Sequence, residues 1–210
     1  FISRFTVTTN NPPRIDPASE KVILRWLSGG HNGCTLAFGP DGMLYVSTGD
    51  ADDPDPPDGK RRTGQDVSDL LSCILRLDVD RAEGTNGYVV PPDNPFVGRD
   101  DARPEIFSYG HRNPQGLAVD PVTGDLWETE HGPQGGDELN WIQKGHNYGW
   151  PVIGYGIDYN GAKIHEATSK SGMEQPIKYW VPSIAPSGMA FYTGDLFPKW
   201  KGSLFVGALA

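Results

Sequence analysis

The chain is 210 residues long with a formal net charge of −9, and its 27 glycines and 19 prolines are nearly twice the roughly 12% that these turn-formers usually contribute. That balance excludes a helical bundle or coiled coil, which is poor in Gly and Pro. It also excludes a disordered chain, because six Trp, eight Tyr and eight Phe can bury a core, and a general nucleic-acid binder, because an acidic surface repels phosphate.

Length predicts one or two domains, and no apolar run nears the ~18 residues of a membrane span. Phe1–Thr8 reads as the middle of a strand and lacks the basic start and apolar stretch of a signal peptide. Next come Thr35–Phe38, the turn Gly39-Pro40-Asp41-Gly42, and Met43–Ser47. Pro presets φ and Gly tolerates φ > 0, so this stretch predicts a hairpin. Asp50–Arg62 is polar and proline-rich and reads as an exposed loop suited to ion binding. Val67–Leu71 has room for a turn or two of helix, and nothing longer is predicted. The hairpin pattern returns as Gly116–Val119, the turn Asp120–Asp125 and Leu126–Thr129. A weaker copy is Gly188–Tyr192, the turn Thr193–Asp195 and Leu204–Gly207. Gly202–Ala210 stops at a strand end, so both ends of the chain read as cut. Recurrent hairpins with Gly/Asp turns are the signature of a β-propeller. The expected fold is therefore all-β, with residues 1–210 forming one partial propeller of about three to four blades.

Three of the five histidines, His31, His111 and His131, sit in Gly-rich knots beside predicted strands. A His held this way either caps a tight turn or is aimed at a site. Three at recurring positions predict a shared site in the channel. Asp50 lies at the end of the strand returning from His31. It either orients that imidazole, fixing its tautomer, or merely begins the acidic loop. The Gly132-Pro133 turn offers two carbonyls, and Asp158 follows the Gly-rich run Gly154–Ile157. These are either calcium ligands or plain turns; no EF-hand loop and no HExxH spacing occurs. Cys34 and Cys73 are too far apart for a CxxC motif, leaving either one disulfide or two buried free thiols.

The stretches GHRNPQGLA (Gly110–Ala118), EHGPQGGDELN (Glu130–Asn140), GHNYGWP (Gly145–Pro151) and PSIAPSGMAFYTG (Pro182–Gly194), taken in order, closely resemble the glucose/sorbosone dehydrogenase family. Residues His31–Asp50 and Gly64–Asp80 fit the same family. The resemblance implies a six-bladed β-propeller that uses pyrroloquinoline quinone (PQQ) and calcium to oxidise aldose sugars. By the same resemblance, His31 is the catalytic base and Asp50 the carboxylate that orients it. Arg112 and Asn113 contact the quinone oxygens, His131 is a polar cofactor contact, and Ser183 is a hydroxyl at the cofactor edge. Gly132 and Pro133 are the carbonyl ligands of the cofactor's calcium, and Gly154, Gly156 and Asp158 fall where some members bind a second calcium. It further implies an external electron acceptor and a periplasmic or secreted location. The lysine and arginines with which the family holds the PQQ carboxylates fall at or beyond Ala210, and the aromatic lid over the PQQ ring falls at Trp180 or Val181. Two rival classes are a non-catalytic propeller that binds a ligand or partner protein, and a calcium-dependent sugar-lactone hydrolase. The first is disfavoured because both His31 and Arg112 are present. The second would need carboxylate and Asn ligands pointing into the channel, whereas an Arg-Asn pair beside a Gly-Pro turn suits a quinone.

Overall fold

Each predicted hairpin is closed by the residues its turn chemistry requires. In the computed structural model, which describes residues 1–8, 12–27, 29–52, 63–81 and 87–210, the Gly39–Gly42 turn is locked at both ends. Gly42 N–H donates to Gly39 O (3.0 Å), and Gly39 N–H to Met43 O (3.0 Å). Gly42 sits at φ +78°, a conformation that a Cβ would strain. The second turn repeats the arrangement, with Asp120 N–H on Asp125 O (2.8 Å) and the Asp120 carboxylate accepting the Val122 amide (2.8 Å).

These turns generate twelve strands: β1 Ile2–Thr8, β2 Arg14–Leu24, β3 Gly33–Phe38, β4 Leu44–Thr48, β5 Cys73–Leu77, β6 Ile106–Tyr109, β7 Pro114–Val119, β8 Leu126–Glu130, β9 Asp137–Ile142, β10 Lys178–Trp180, β11 Pro186–Phe191 and β12 Leu204–Ala208. β3-β4-β5-β6 and β7-β8-β9-β10 are antiparallel meanders, each four strands in sequence order, while β1-β2 and β11-β12 are separate hairpins. Helix among the described residues is confined to two single 3₁₀ turns, Thr63–Gln65 and Pro198–Trp200. Val67–Leu71, which had room for a turn or two of helix, forms turns and bends instead; Asp66 and Asp69 accept the amides of Ser68 and Leu71 (2.9 and 2.7 Å), a local bonding pattern that competes with helix. No helix of the described residues is long and apolar enough to cross a membrane.

Strand alternation splits the core in two. Leu44, Val46, Leu75 and Leu77 face the β1-β2 hairpin, packing with Ile2, Ile23 and Leu24. Tyr45 and Ile74 face the other way and pack with Leu117, Leu126, Ile142 and Tyr148 of the second sheet. The first sheet is therefore buried on both faces, which is why every residue of β4 and β5 is buried. The first strands of successive units run side by side, β3 beside β7 and β7 beside β11.

Two expectations change. Asp50, Ala51 and Asp52 are buried rather than part of an exposed loop, because Asp50 N–H pairs with Arg112 O while Ala51 and Asp52 pair with the backbone of residues 30 and 31; residues 53–62 lie outside the described part. The cysteines are unpaired, and only Cys73 is buried; Cys34 is exposed on β3.

Candidate active site

The backbone on either side of β3 and β4 clamps His31. Its N–H donates to Asp52 O (3.1 Å) and its carbonyl accepts Ala51 N–H (3.0 Å), while Gly30 N–H reaches Ala51 O (3.3 Å). Gly49 permits the close approach, since a Cβ there would stand 2.5 Å from His31 O. The clamp sets His31 Nδ1 2.8 Å from Asp50 Oδ1. Asp50 is fully buried, and both of its oxygens are engaged. Oδ1 also accepts the Asp52 amide (3.0 Å), and Oδ2 accepts the Trp150 indole N–H (2.8 Å). With Nδ1–H held by a carboxylate, the imidazole presents the lone pair of Nε2.

Arg112 and Asn113 lie in the crossover from β6 to β7. The Glu130 carboxylate, at the end of β8, accepts both of their amides through Oε2. Arg112 Nη1 donates to His131 O (3.0 Å) and Gly132 O (2.7 Å), and its guanidinium lies over the Trp150 ring, 5.3 Å from the centroid. Asn113 Oδ1 accepts from Gln115 Nε2 (2.9 Å) and Gly33 N (3.4 Å), tying the crossover to β3.

The Gly132 turn is pinned by Asp137, another fully buried carboxylate. Its Oδ1 accepts Gly132 N–H (2.9 Å). Its Oδ2 accepts Ser183 Oγ–H (2.6 Å), Ile184 N–H (2.7 Å) and Ala185 N–H (2.9 Å). The Ser183 hydroxyl is thus directed at Asp137. His131 donates Nε2–H to Pro186 O (2.7 Å). Gly156 packs against the same turn, where a Cβ would meet Gly135 O at 2.2 Å. Gly154 is covered by the His165 ring, and the buried Asp158 has an Oδ2 with no hydrogen-bond partner, a carboxylate oxygen suited to a cation. Beside this turn opens a cavity of about 500 Å³ lined by Pro133, Gly135, Tyr159, Val181, Pro182 and Ser183.

The geometry therefore links His31, Asp50, Arg112 and Gly132 through direct contacts, and sets Gly156 against the same turn. Sequence reasoning missed two residues here. Trp150 lies in a motif that was recognised but given no role. Tyr159 directly follows Asp158, and a lone aromatic after a candidate ligand is a weak signal. The expected convergence of three histidines does not occur. His111 is fully buried between the sheets, where its ring stacks on Tyr148 at 4.7 Å and shares a hydrogen bond with Ser108 Oγ (3.0 Å).

His111 borders a buried acidic cluster. Asn140 Nδ2 lies 3.1 Å from Glu128 Oε2, 3.3 Å from Glu130 Oε1 and 3.3 Å from Glu138 Oε2. Strand register explains the grouping, because Glu128 pairs with Asn140 and Glu130 with Glu138 across β8 and β9. His111, Glu128 and Glu130 offer ligand atoms within 4.8 Å of one another. Burial first, and the Glu130 carboxylate second, push Glu128 and Glu138 well above the usual carboxylate range. Glu128 therefore keeps its proton in the folded state at pH values where the unfolded chain has lost it. Its contribution to stability is complete below the unfolded value and is lost as pH rises toward the raised folded value. Glu128→Gln, isosteric and uncharged, should flatten the fall of unfolding free energy as pH rises above the ordinary carboxylate range, by at most about 1.4 kcal/mol per pH unit. Denaturant unfolding across that rise measures it; parallel pH dependences in variant and wild type would refute the assignment.

A profile of the family described as glucose/sorbosone dehydrogenase matches residues 19–210. Aldose sugar dehydrogenase YliI of Escherichia coli (strain K12) is 47% identical over 184 residues, covering 87% of this chain and 46% of that protein. A crystal structure of a glucose dehydrogenase superposes with a TM-score of 0.82 at 45% identity, over 96% of this chain and 55% of that one. The PQQ-bound aldose sugar dehydrogenase of Streptomyces coelicolor superposes with a TM-score of 0.66 at 32% identity, over 94% and 52%. The chain spans about half the length of the curated relatives it matches.

Proposed function

Because the chain belongs to the glucose/sorbosone dehydrogenase family, we propose that it carries the base and part of the cofactor site of a PQQ- and calcium-dependent aldose dehydrogenase. Its meanders and hairpins are read as about three to four blades of a six-bladed β-propeller. The adjacency of β3, β7 and β11 supports this, since first strands line the axis of such a ring. The observation that carries the proposal is the 2.8 Å contact of His31 with a buried carboxylate, on the same chain of contacts as Arg112 and the Gly132 carbonyl.

The donor set fits the implied groups. The Gly132 and Pro133 carbonyls are hard oxygen donors of the kind calcium takes, and Arg112 brings a fixed positive charge beside them. Asn113, His131 and Ser183 border the same region. Gly154, Gly156 and Asp158 are assigned to a second calcium, supported by the orphaned Asp158 Oδ2. When bound, PQQ supplies a two-electron hydride acceptor and calcium the Lewis acid that polarises it. The protein's own part is proton transfer and electrostatics. His31 Nε2 takes the proton of the anomeric hydroxyl as C1 gives up hydride, and the aldose leaves as its lactone. Asp50 keeps Nδ1 protonated and balances the charge of the imidazolium that forms. Arg112, held by two carbonyls, needs no reorganisation to stabilise negative charge developing nearby. An external acceptor then removes the electrons, and a periplasmic or secreted setting follows from the family.

The test is reconstitution of the intact protein with PQQ and calcium, followed by dye reduction with a panel of aldoses. Aldose-dependent reduction that requires both additions is the expected result. Acid release from lactones without an acceptor would replace this reading with the hydrolase, and a protein that binds no PQQ would replace it with the binding-only propeller.

A further inference from the structure

Trp150 touches both halves of the site. Its indole N–H is 2.8 Å from Asp50 Oδ2, and its ring lies under the Arg112 guanidinium at 5.3 Å. The residue is buried and held on every side. Its backbone N–H donates to Gly110 O (2.9 Å), its carbonyl accepts Gln65 Nε2–H (2.8 Å), and His165 meets the ring edge-on with centroids 5.4 Å apart. Gly64 lies so close that a Cβ there would stand 2.2 Å from Trp150 O. This much restraint on one large side chain fixes the direction of a single N–H bond.

We propose that Trp150 is a positioning residue that locks Asp50 and Arg112 into one unit, and that its N–H on Asp50 Oδ2 tunes how strongly the carboxylate holds the proton on His31. The inference deepens the dehydrogenase reading and rests on it for its catalytic meaning. The physical logic is a shared charge. A buried carboxylate that accepts the indole N–H at one oxygen offers less negative charge to the imidazole at the other. Removing the N–H concentrates that charge on the His31 pair and makes the imidazole more basic. The described charged groups around the pair are Asp52, whose amide donates to the same carboxylate, and Arg112, whose backbone carbonyl accepts the Asp50 amide (2.9 Å). His165 lies on the far side of the indole.

Trp150→Phe removes the N–H and keeps an aromatic ring under Arg112. In the intact protein without cofactor, NMR titration of the His31 imidazole should move upward by about half a unit to one unit, a three- to tenfold rise in proton affinity. With PQQ and calcium added, the acid limb of the kcat/KM profile should move along the pH axis by the same amount, a displacement that a merely structural loss, which lowers the whole profile in place, would not give. An unchanged His31 titration in the variant overturns the proposal. A shifted titration in a protein that oxidises no aldose would uphold the coupling and remove the dehydrogenase reading instead. Should the variant fail to fold, the wild-type indole N–H resonance of Trp150 decides. It should shift with the titration of His31, and a resonance that stays constant through that titration overturns the proposal.

Discussion

His31→Ala should lower aldose-dependent dye reduction by about 10²–10⁴-fold, the usual worth of a positioned general base. The loss should fall on kcat rather than on PQQ affinity. The imidazole is presented by backbone hydrogen bonds to residues 51 and 52 and by the Asp50 carboxylate, and none of these is shared with the Gly132 turn. Truncation therefore removes the proton acceptor and leaves the cofactor side in place. The measurement is a pair, with kcat from dye reduction and PQQ affinity from its absorbance change on binding. Activity within threefold of wild type would dismiss His31 as base. A parallel collapse of PQQ binding would make it a scaffold residue.

Arg112→Lys should cost about 10²–10³-fold in kcat even though charge is conserved, comparable to the loss of a preorganised oxyanion donor. The guanidinium donates to two successive carbonyls, His131 O and Gly132 O, and at the same time lies on the Trp150 face. Both bonds leave Nη1 while the flat guanidinium stays on the indole; an ammonium on a flexible stem has no planar face to hold it there as it donates. Because Gly132 O is also assigned to calcium, and a guanidinium on that carbonyl opposes a second cation, the variant should need no more calcium than wild type for half-maximal activity. Calcium titrations of both proteins test this, and wild-type kcat in the lysine variant would place the quinone contact elsewhere.

Much of this arrangement was legible in the sequence, where local chemistry decides. The Gly39–Gly42 and Asp120–Asp125 turns carry their own geometry, so both hairpins could be read directly. The approach of Asp50 to His31 followed from the hairpin between them. What stayed hidden depends on which strands and sheets meet. Trp150 reaches Asp50 across 100 residues, a contact set by the docking of two sheets and by no local pattern. Glu128, Glu130 and Glu138 look like solvated charges until the β8-β9 register puts them on one buried face. His111 looked like a member of a channel site because its glycine-rich flank matches that of His31. Its ring instead turns inward onto Tyr148, a choice made by packing between sheets.

The crossover from β6 to β7 brings Arg112 to the site, and Trp150 arrives from beyond β9, whereas His31 and Asp50 belong to the first sheet. His31 and Asp50 meet at one end of that sheet, but Arg112 and Trp150 reach the pair only from outside it. Chemistry on this chain is therefore a property of a seam. Strands can be fully hydrogen-bonded within each sheet while the seam between them is still open, and in that condition the protein would have its secondary structure and its His31–Asp50 pair, with neither the Arg112 charge nor the Trp150 indole in place. Competence should come late in folding, because contacts of such long sequence separation form only after the loops between them close. On warming it should be the first thing lost, as the seam slackens before either sheet unravels.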